Sequence, residues 1–204
     1  MTAGTSQLRF PAAAAVVALA FVVLARPSGA AADAAAGRAL AEGCAGCHGE
    51  DGVSHAAATP SLAGEPDDFV QWQLVFFRSG GRKSDVMEPI AQALANEDIR
   101  NLGAYYAALP PPAPQPAPFS DELVSAGARL AVEHRCTVCH GDGLAGGGAV
   151  ARLAGQREDV LLKALRDFKS GRRVGSGVAS MADATYDLDD ADMQALAHYL
   201  ATRP

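Results

Sequence analysis

Apolar residues follow two different spacings along this chain, and each predicts a different kind of segment. From Phe10 to Ala25 they run without interruption, preceded by Arg9 and followed by the small residues of Pro27-Ser28-Gly29-Ala30-Ala31-Ala32. That order of cationic, apolar and small residues is the form of a secretory signal, assigned here to residues 1–32. Sixteen residues fall short of the ~20 that a membrane-spanning helix needs. Elsewhere the spacing is helical. Phe69, Val70, Leu74 and Phe77 share one face of a helix expected over Asp67 to Ser79, and Val160, Leu161, Leu165 and Phe168 repeat that face later. Ala34 to Gly43 is rich in alanine, and two further helices are expected behind Asn96 and Asp190 as N-caps. Their buried stripes are Ile99, Leu102 and Tyr106 in the first and Met193, Leu196 and Leu200 in the second. No alternating strand pattern of useful length occurs, so the fold class is all-α.

The helical segments form two copies of one unit. Leu62-Ala63-Gly64 aligns with Leu153-Ala154-Gly155, Phe77-Arg78-Ser79-Gly80 with Phe168-Lys169-Ser170-Gly171, and Met87 with Met181. Twelve residues beyond each Met comes Ile99 or Met193, followed by Leu102 or Leu196, Tyr105 or Tyr199, and Pro110 or Pro204. An order this well kept identifies a tandem repeat. Between the copies lies LPPPAPQPAPF, with six prolines, which favours extended polyproline II and acts as a semi-rigid strap. The expected organisation is therefore a domain over 33–109, a linker over 110–118 and a second domain over 119–204.

Composition narrows the possibilities further. The chain has 204 residues, 49% apolar but only 6% aromatic, so each small domain has a thin core of the sort that usually needs a metal, disulfide or cofactor. Net charge is −6, and loss of a signal carrying Arg9 and Arg26 and no acidic residue leaves −8. An acidic chain without clustered Lys and Arg is no nucleic-acid binder. Its partners are expected to present basic or apolar patches.

All four cysteines fall in two pentads, CAGCH at 44–48 and CTVCH at 136–140, 92 positions apart. Disulfides, a zinc site and a redox dithiol are the alternatives. Zinc ribbons bring their Cys pairs within ~15–20 residues of one another, and dithiol oxidoreductases use a βαβ setting. Neither accounts for a His directly after the second Cys in both copies. Covalent haem does: two thiols add to two vinyl groups and the next imidazole reaches the iron, the attachment pattern of c-type haem. Cys44, Cys47, Cys136 and Cys139 are thus the expected attachment points of two haem c groups, with His48 and His140 as iron ligands. The sixth ligands are expected from Met87 and Met181, which coincide in the repeat and lie 43 and 45 residues beyond the first Cys of their pentads. Met193 coincides with Ile99 and reads as core. Thioether ligation stabilises Fe(II) and raises the potential, and a six-coordinate iron leaves no place for substrate.

Together, CxxCHGxxG, PxLAG, FRxGxR, a distal Met and a terminal helix with an aromatic, given twice after a signal, resemble the di-haem cytochromes c4 of bacterial periplasms. The resemblance runs from about Ala34 to Pro204. It implies two tandem class I cytochrome c-like domains, each wrapped around a covalent haem and facing the other across a pseudo-twofold axis, with propionates near the interface. It also implies that the Pro60 carbonyl accepts from His48. Ala151 stands in the place of Pro60 in the second copy, so His140 is expected to be the less constrained and the two haems to differ in potential.

The remaining candidates read as follows. Arg82 and Arg173 coincide and suit either haem propionates or solvent. His55, His134 and His198 have no counterparts and read as surface residues. Trp72 and Phe76 suit the first haem pocket or the core, and the run of Asp187, Asp189, Asp190 and Asp192 suits a helix start. The expected function is a periplasmic electron carrier, not an enzyme, passing single electrons from a respiratory donor to an acceptor such as a terminal oxidase. Other redox proteins are its partners, and membrane contact arises only through them or through an uncleaved signal. The alternatives are the cytochrome subunit of a flavoprotein or other dehydrogenase complex, or a di-haem enzyme such as a peroxidase.

Overall fold

The computed structural model describes Met1 and residues 31–115, 120–174 and 178–204; most of the expected signal and the end of the proline strap lie outside these. Residues 31–204 form one unit. It is built from helices, and among the described residues the only β-pairing is two isolated bridges, Arg82 with Arg173 and Gly147 with Val150.

The first copy contains α1 (Ala34–Ala41), α2 (Ala45–His48), α3 (Asp67–Arg78), α4 (Met87–Gln92) and α5 (Asn96–Ala108). The second contains α6 (Asp121–Glu133), α7 (Cys136–His140), α8 (Glu158–Lys169), α9 (Ala179–Thr185) and α10 (Asp190–Ala201). Helix starts follow local chemistry. Asp33 caps α1 by accepting from Ala35 N at 2.8 Å, and Ser120 caps α6 by accepting from Leu123 N at 3.2 Å. The caps expected at Asn96 and Asp190 shift by one residue. Ala95 is the N-cap of α5, its N–H held by Asp98 at 2.8 Å, and Asp189 caps α10 by accepting from Asp192 N at 2.8 Å. Asp190 is thereby freed to take Arg166 in a two-pronged pair, both contacts at 2.7 Å. The two pentad helices stop on Gly49 and Gly141, at φ +87° and +78°, a conformation open to glycine and costly for most other residues.

In each copy the long first and last helices cross, α1 on α5 and α6 on α10, and the middle helix packs beside them, α3 on α5 and α8 on α10. Gly37 and Gly127 make the crossings possible. A Cβ on Gly37 would stand 2.0 Å from Asn101 O, and one on Gly127 2.2 Å from Ala195 O. Ala41, Val70, Leu102 and Tyr106 fill the first core. In the second, Leu144, Ala154, Leu161, Ala197 and Leu200 adjoin a cluster of Ala131, Leu165, Leu188, Met193 and Leu196.

The proline strap lies against both copies. A Cβ on Gly64 would meet Pro111 at 2.8 Å, one on Gly155 would meet Pro112 O at 2.6 Å, and Gln115 N donates to Ala201 O at 2.9 Å. The strap thus passes over the glycine of both Leu-Ala-Gly turns. Among the described residues no helix is long and apolar enough to cross a membrane.

Candidate haem-binding sites

Each pentad is a single short helix turn, so its two cysteines and its His emerge together. Cys44 and Cys136 are half-buried, Cys47 and Cys139 are exposed, and all four thiols are free. Burial pushes the Cys44 and Cys136 thiols above their ordinary value. His48 and His140 are buried to the same degree, at 7% exposure, and burial lowers both imidazole pKa values, with a carbonyl partner acting in the other direction. Buried imidazoles held neutral are the form in which His ligates metal.

The segment after each pentad folds back beneath its His. Gly52 O accepts from Leu62 N and Ala63 N at 2.7 and 3.1 Å, and Leu144 O accepts from Leu153 N and Ala154 N at 2.8 and 3.1 Å. This brings a carbonyl to each imidazole: His48 Nδ1 lies 2.8 Å from Pro60 O, and His140 Nδ1 lies 2.8 Å from Ala151 O. The two contacts are equally long, so the weaker constraint expected at His140 does not show as a longer contact. Leu144 anchors the second loop from a left-handed backbone, φ +54°, where the first copy has Gly52. With Nδ1 committed to a carbonyl, Nε2 is the nitrogen left for a metal.

The donor set therefore fits a covalent haem: two free thiols and one oriented neutral imidazole per turn. It does not fit a disulfide or a zinc cluster. No disulfide joins the cysteines, and among the described residues no three His, Cys, Asp or Glu side chains converge as a metal cluster.

Met87 opens α4 and Met181 lies in α9, both half-buried. Met193 is 4% exposed inside the second core, whereas Met181 only borders that cluster. On the helix of Met87, Ile90 is 46% exposed, and the adjoining Val86 is 62% exposed. Trp72 is half-exposed rather than core and stacks on Phe76 at 5.7 Å.

Arg82 and Arg173 meet across the two copies. Each lies over its own phenylalanine, Phe77 at 4.6 Å and Phe168 at 4.5 Å, and both donate to one acceptor, Gln73 Oε1, at 2.7 and 2.8 Å. Burial pushes Arg82 down to about 10. Burial and then the neighbouring Arg82 charge push Arg173 to about 9. Neither forms an ion pair with a carboxylate among the described residues, so the seam holds two cations on one neutral amide. Such a place suits an anion.

Sequence reading missed the rest of this seam. Glu65 and Gln156, which follow the two Leu-Ala-Gly turns, are buried at 4% and 6% exposure. Gln156 Oε1 accepts from Ser61 N at 2.9 Å and its Nε2 donates to Ser61 O at 2.9 Å, while Glu65 Oε2 accepts from Arg152 N at 2.9 Å. Their shared place after Leu-Ala-Gly was the available signal. His198 also departs from its surface reading. It is 8% exposed, with Nδ1 3.0 Å from Glu158 Oε2 and Nε2 accepting from Ser120 N at 3.3 Å, so it ties α10 to the starts of α6 and α8. His55 is exposed and His134 half-buried.

Comparison with known proteins agrees with this geometry. The family model described as cytochrome c matches residues 124–204, and that described as cytochrome C oxidase, cbb3-type, subunit III matches residues 31–105. The thiosulfate dehydrogenase electron acceptor of Thiomonas intermedia is 33% identical over 80% of this chain and 80% of its own length. Cytochrome c4 of Thiocapsa roseopersicina is 31% identical over 82% of this chain and 91% of its own. The crystal structure of reduced cytochrome c4 from Pseudomonas stutzeri superposes with a TM-score of 0.78 at 27% identity, covering 85% of this chain and all of that one.

Proposed function

From the premise that this chain belongs to the cytochrome c4 family of di-haem cytochromes c, electron carriers with two covalently bound haem c groups, we propose how its own residues carry out that role. Cys44 and Cys47 hold the first haem and Cys136 and Cys139 the second, by thioether bonds. His48 and His140 would offer Nε2, and Met87 and Met181 their thioethers, as ligands to the irons. When bound, each iron supplies a one-electron couple between Fe(III) and Fe(II). The protein fixes the imidazoles through the Pro60 and Ala151 carbonyls, excludes water with the two helical cores and sets the potentials. Arg82 and Arg173 would serve the propionates, and their pairing on Gln73 supports this reading because among the described residues neither of these enclosed guanidinium groups forms an ion pair with a carboxylate. The working divisions are 33–109 and 119–204 with the strap at 110–118. Residues 1–32 export the chain to the periplasm, where other redox proteins supply and accept its electrons.

The observation that carries this reading is the pair of equivalent imidazole–carbonyl contacts, both 2.8 Å, each behind a turn with two free thiols. The test is the mass of the purified chain after acid denaturation, since thioether bonds survive when coordination bonds do not. Two haem increments are expected, and one or none would remove the basis of the assignment. A second reading, service to a dehydrogenase, is favoured by the likeness to the Thiomonas intermedia relative, a thiosulfate dehydrogenase electron acceptor. Thiosulfate-dependent reduction of this chain by such an enzyme would support it, and failure to reduce at stoichiometric enzyme would remove it.

A further inference from the structure

The carbonyl that accepts from each imidazole belongs to a peptide group whose N–H is also engaged, and in both cases the partner comes from the other copy. In the first site, Pro60 O takes His48 Nδ1 at 2.8 Å, and the N–H of the same peptide, that of Ser61, donates to Gln156 Oε1 at 2.9 Å. In the second, Ala151 O takes His140 Nδ1 at 2.8 Å, and the N–H of Arg152 donates to Glu65 Oε2 at 2.9 Å. The arrangement is reciprocal, with one difference: the residue after Leu-Ala-Gly is an amide in the second copy and a carboxyl in the first. Hydrogen bonds in a chain polarise one another, and the peptide group is conjugated from N–H to C=O. A charged acceptor at the N–H makes its bond roughly twice as strong as a neutral one. The carbonyl then becomes a better acceptor, and the imidazole it holds becomes a more basic ligand.

We propose that Glu65 of the first copy is a positioning residue for the second site, setting the basicity of His140 through the Ala151–Arg152 peptide group, with Gln156 as the uncharged counterpart acting on His48. The proposal rests on the assignment of His48 and His140 as iron ligands. Burial pushes the Glu65 carboxyl up to about 7, outweighing the Arg152 N–H bond, the Gln156 amide and the charges of Arg152 and Arg173, all four of which favour its anion. Near neutral pH the carboxyl therefore gains or loses its charge, whereas Gln156 has no charge to change. Ionised Glu65 makes His140 the stronger donor and favours Fe(III) at the second site, so the potential there falls as pH rises. By linkage, reduction of that site draws a solvent proton onto Glu65. The first site has no such dependence.

The test is a redox titration of the full holo-protein across the neutral pH range, on the natural chain, Glu65→Gln and Gln156→Glu. Glutamine already occupies the equivalent position in the second copy, so Glu65→Gln conserves shape. In the natural chain one of the two midpoint potentials is expected to fall with pH and the other to stay level. In Glu65→Gln both stay level, with the formerly mobile one held at its high, acid-side value. In Gln156→Glu the formerly level potential acquires a pH dependence of its own. The Nδ1 proton resonance of His140 in the reduced protein should move with pH in the natural chain and not in Glu65→Gln. The proposal is overturned if the dependence survives in Glu65→Gln, if Gln156→Glu moves both potentials equally as a through-space charge would, or if neither variant moves either one. Two low-spin c-type haems with unmoved potentials would sink the relay alone, whereas absence of that spectrum in the natural chain would sink the ligand assignment beneath it.

Discussion

Met181 and Met193 lie twelve positions apart in the second copy, and their settings differ. Met193 is enclosed by Ala131, Leu165, Leu188 and Leu196, while Met181 stands at the edge of that cluster. Met87→Ala and Met181→Ala are each expected to open one iron, lower its potential and let carbon monoxide bind to the reduced protein. Met193→Leu conserves volume and should cost less than about 1.5 kcal/mol with the visible spectrum unchanged. An unaltered spectrum in either alanine variant would move that ligand to another residue. Both pentads were legible in the sequence because covalent haem ties its attachment chemistry to a short, fixed spacing. Glu65, Gln73 and His198 were not, because their partners Arg152, Arg173 and Glu158 are 87, 100 and 40 residues away. A side chain's partner over such a distance is set by packing and leaves no local pattern.

At the scale of elements, the long helices were readable from their stripes, but the turn-length helices around the pentads and around Met87 and Met181 were not. Segments of four to seven residues, such as α2, α4, α7 and α9, are too short to display a helical period. The N-caps of α5 and α10 moved by one residue because Asp98 and Asp192 reach back and fix the preceding residue as the boundary. The crossings of α1 on α5 and α6 on α10 give a prediction whose sign opposes helix propensity. In an exposed helix, replacing Gly by Ala stabilises by roughly 0.5–1 kcal/mol. At Gly37 the new methyl would meet Asn101 O at 2.0 Å and Tyr105 Cβ at 2.8 Å, and at Gly127 it would meet Ala195 O at 2.2 Å and Tyr199 Cβ at 2.5 Å. Backbone on the far side cannot rotate away, so the helices must separate. Gly37→Ala and Gly127→Ala should each destabilise by about 1–3 kcal/mol, seen as a lower denaturant midpoint at unchanged slope. A midpoint that rises in either variant would show that the crossing is looser than its contacts require.

At the scale of the whole molecule, the sequence showed that there are two copies but not how they meet, since repetition reports the unit and not its docking. Alongside the strap, the docking rests on crossed polar contacts: Gln156 to Ser61, Glu65 to Arg152, Asp159 to Ala58 N at 2.8 Å and Arg173 to Gln73. Burying Glu65 there has a consequence for stability that is independent of the redox argument. Its carboxyl titrates at about 7 in the folded chain, chiefly because burial disfavours the anion, and in the unfolded chain it returns to the ordinary carboxylate value. A pKa raised by folding means that the folded state binds the proton more tightly. The stabilisation is therefore complete below the unfolded value and is lost as pH rises through the folded one. With Glu65 only 4% exposed, the shift corresponds to about 3 kcal/mol between the acidic and alkaline limits. Relative to Glu65→Gln, the natural chain should lose stability as pH climbs from the ordinary carboxylate range past neutrality, and denaturation midpoints of the two holo-proteins measured in parallel isolate this one group from every other titration. Parallel curves across that window would mean that Glu65 ionises without cost where it stands, with Arg152 and Arg173 already balancing its charge.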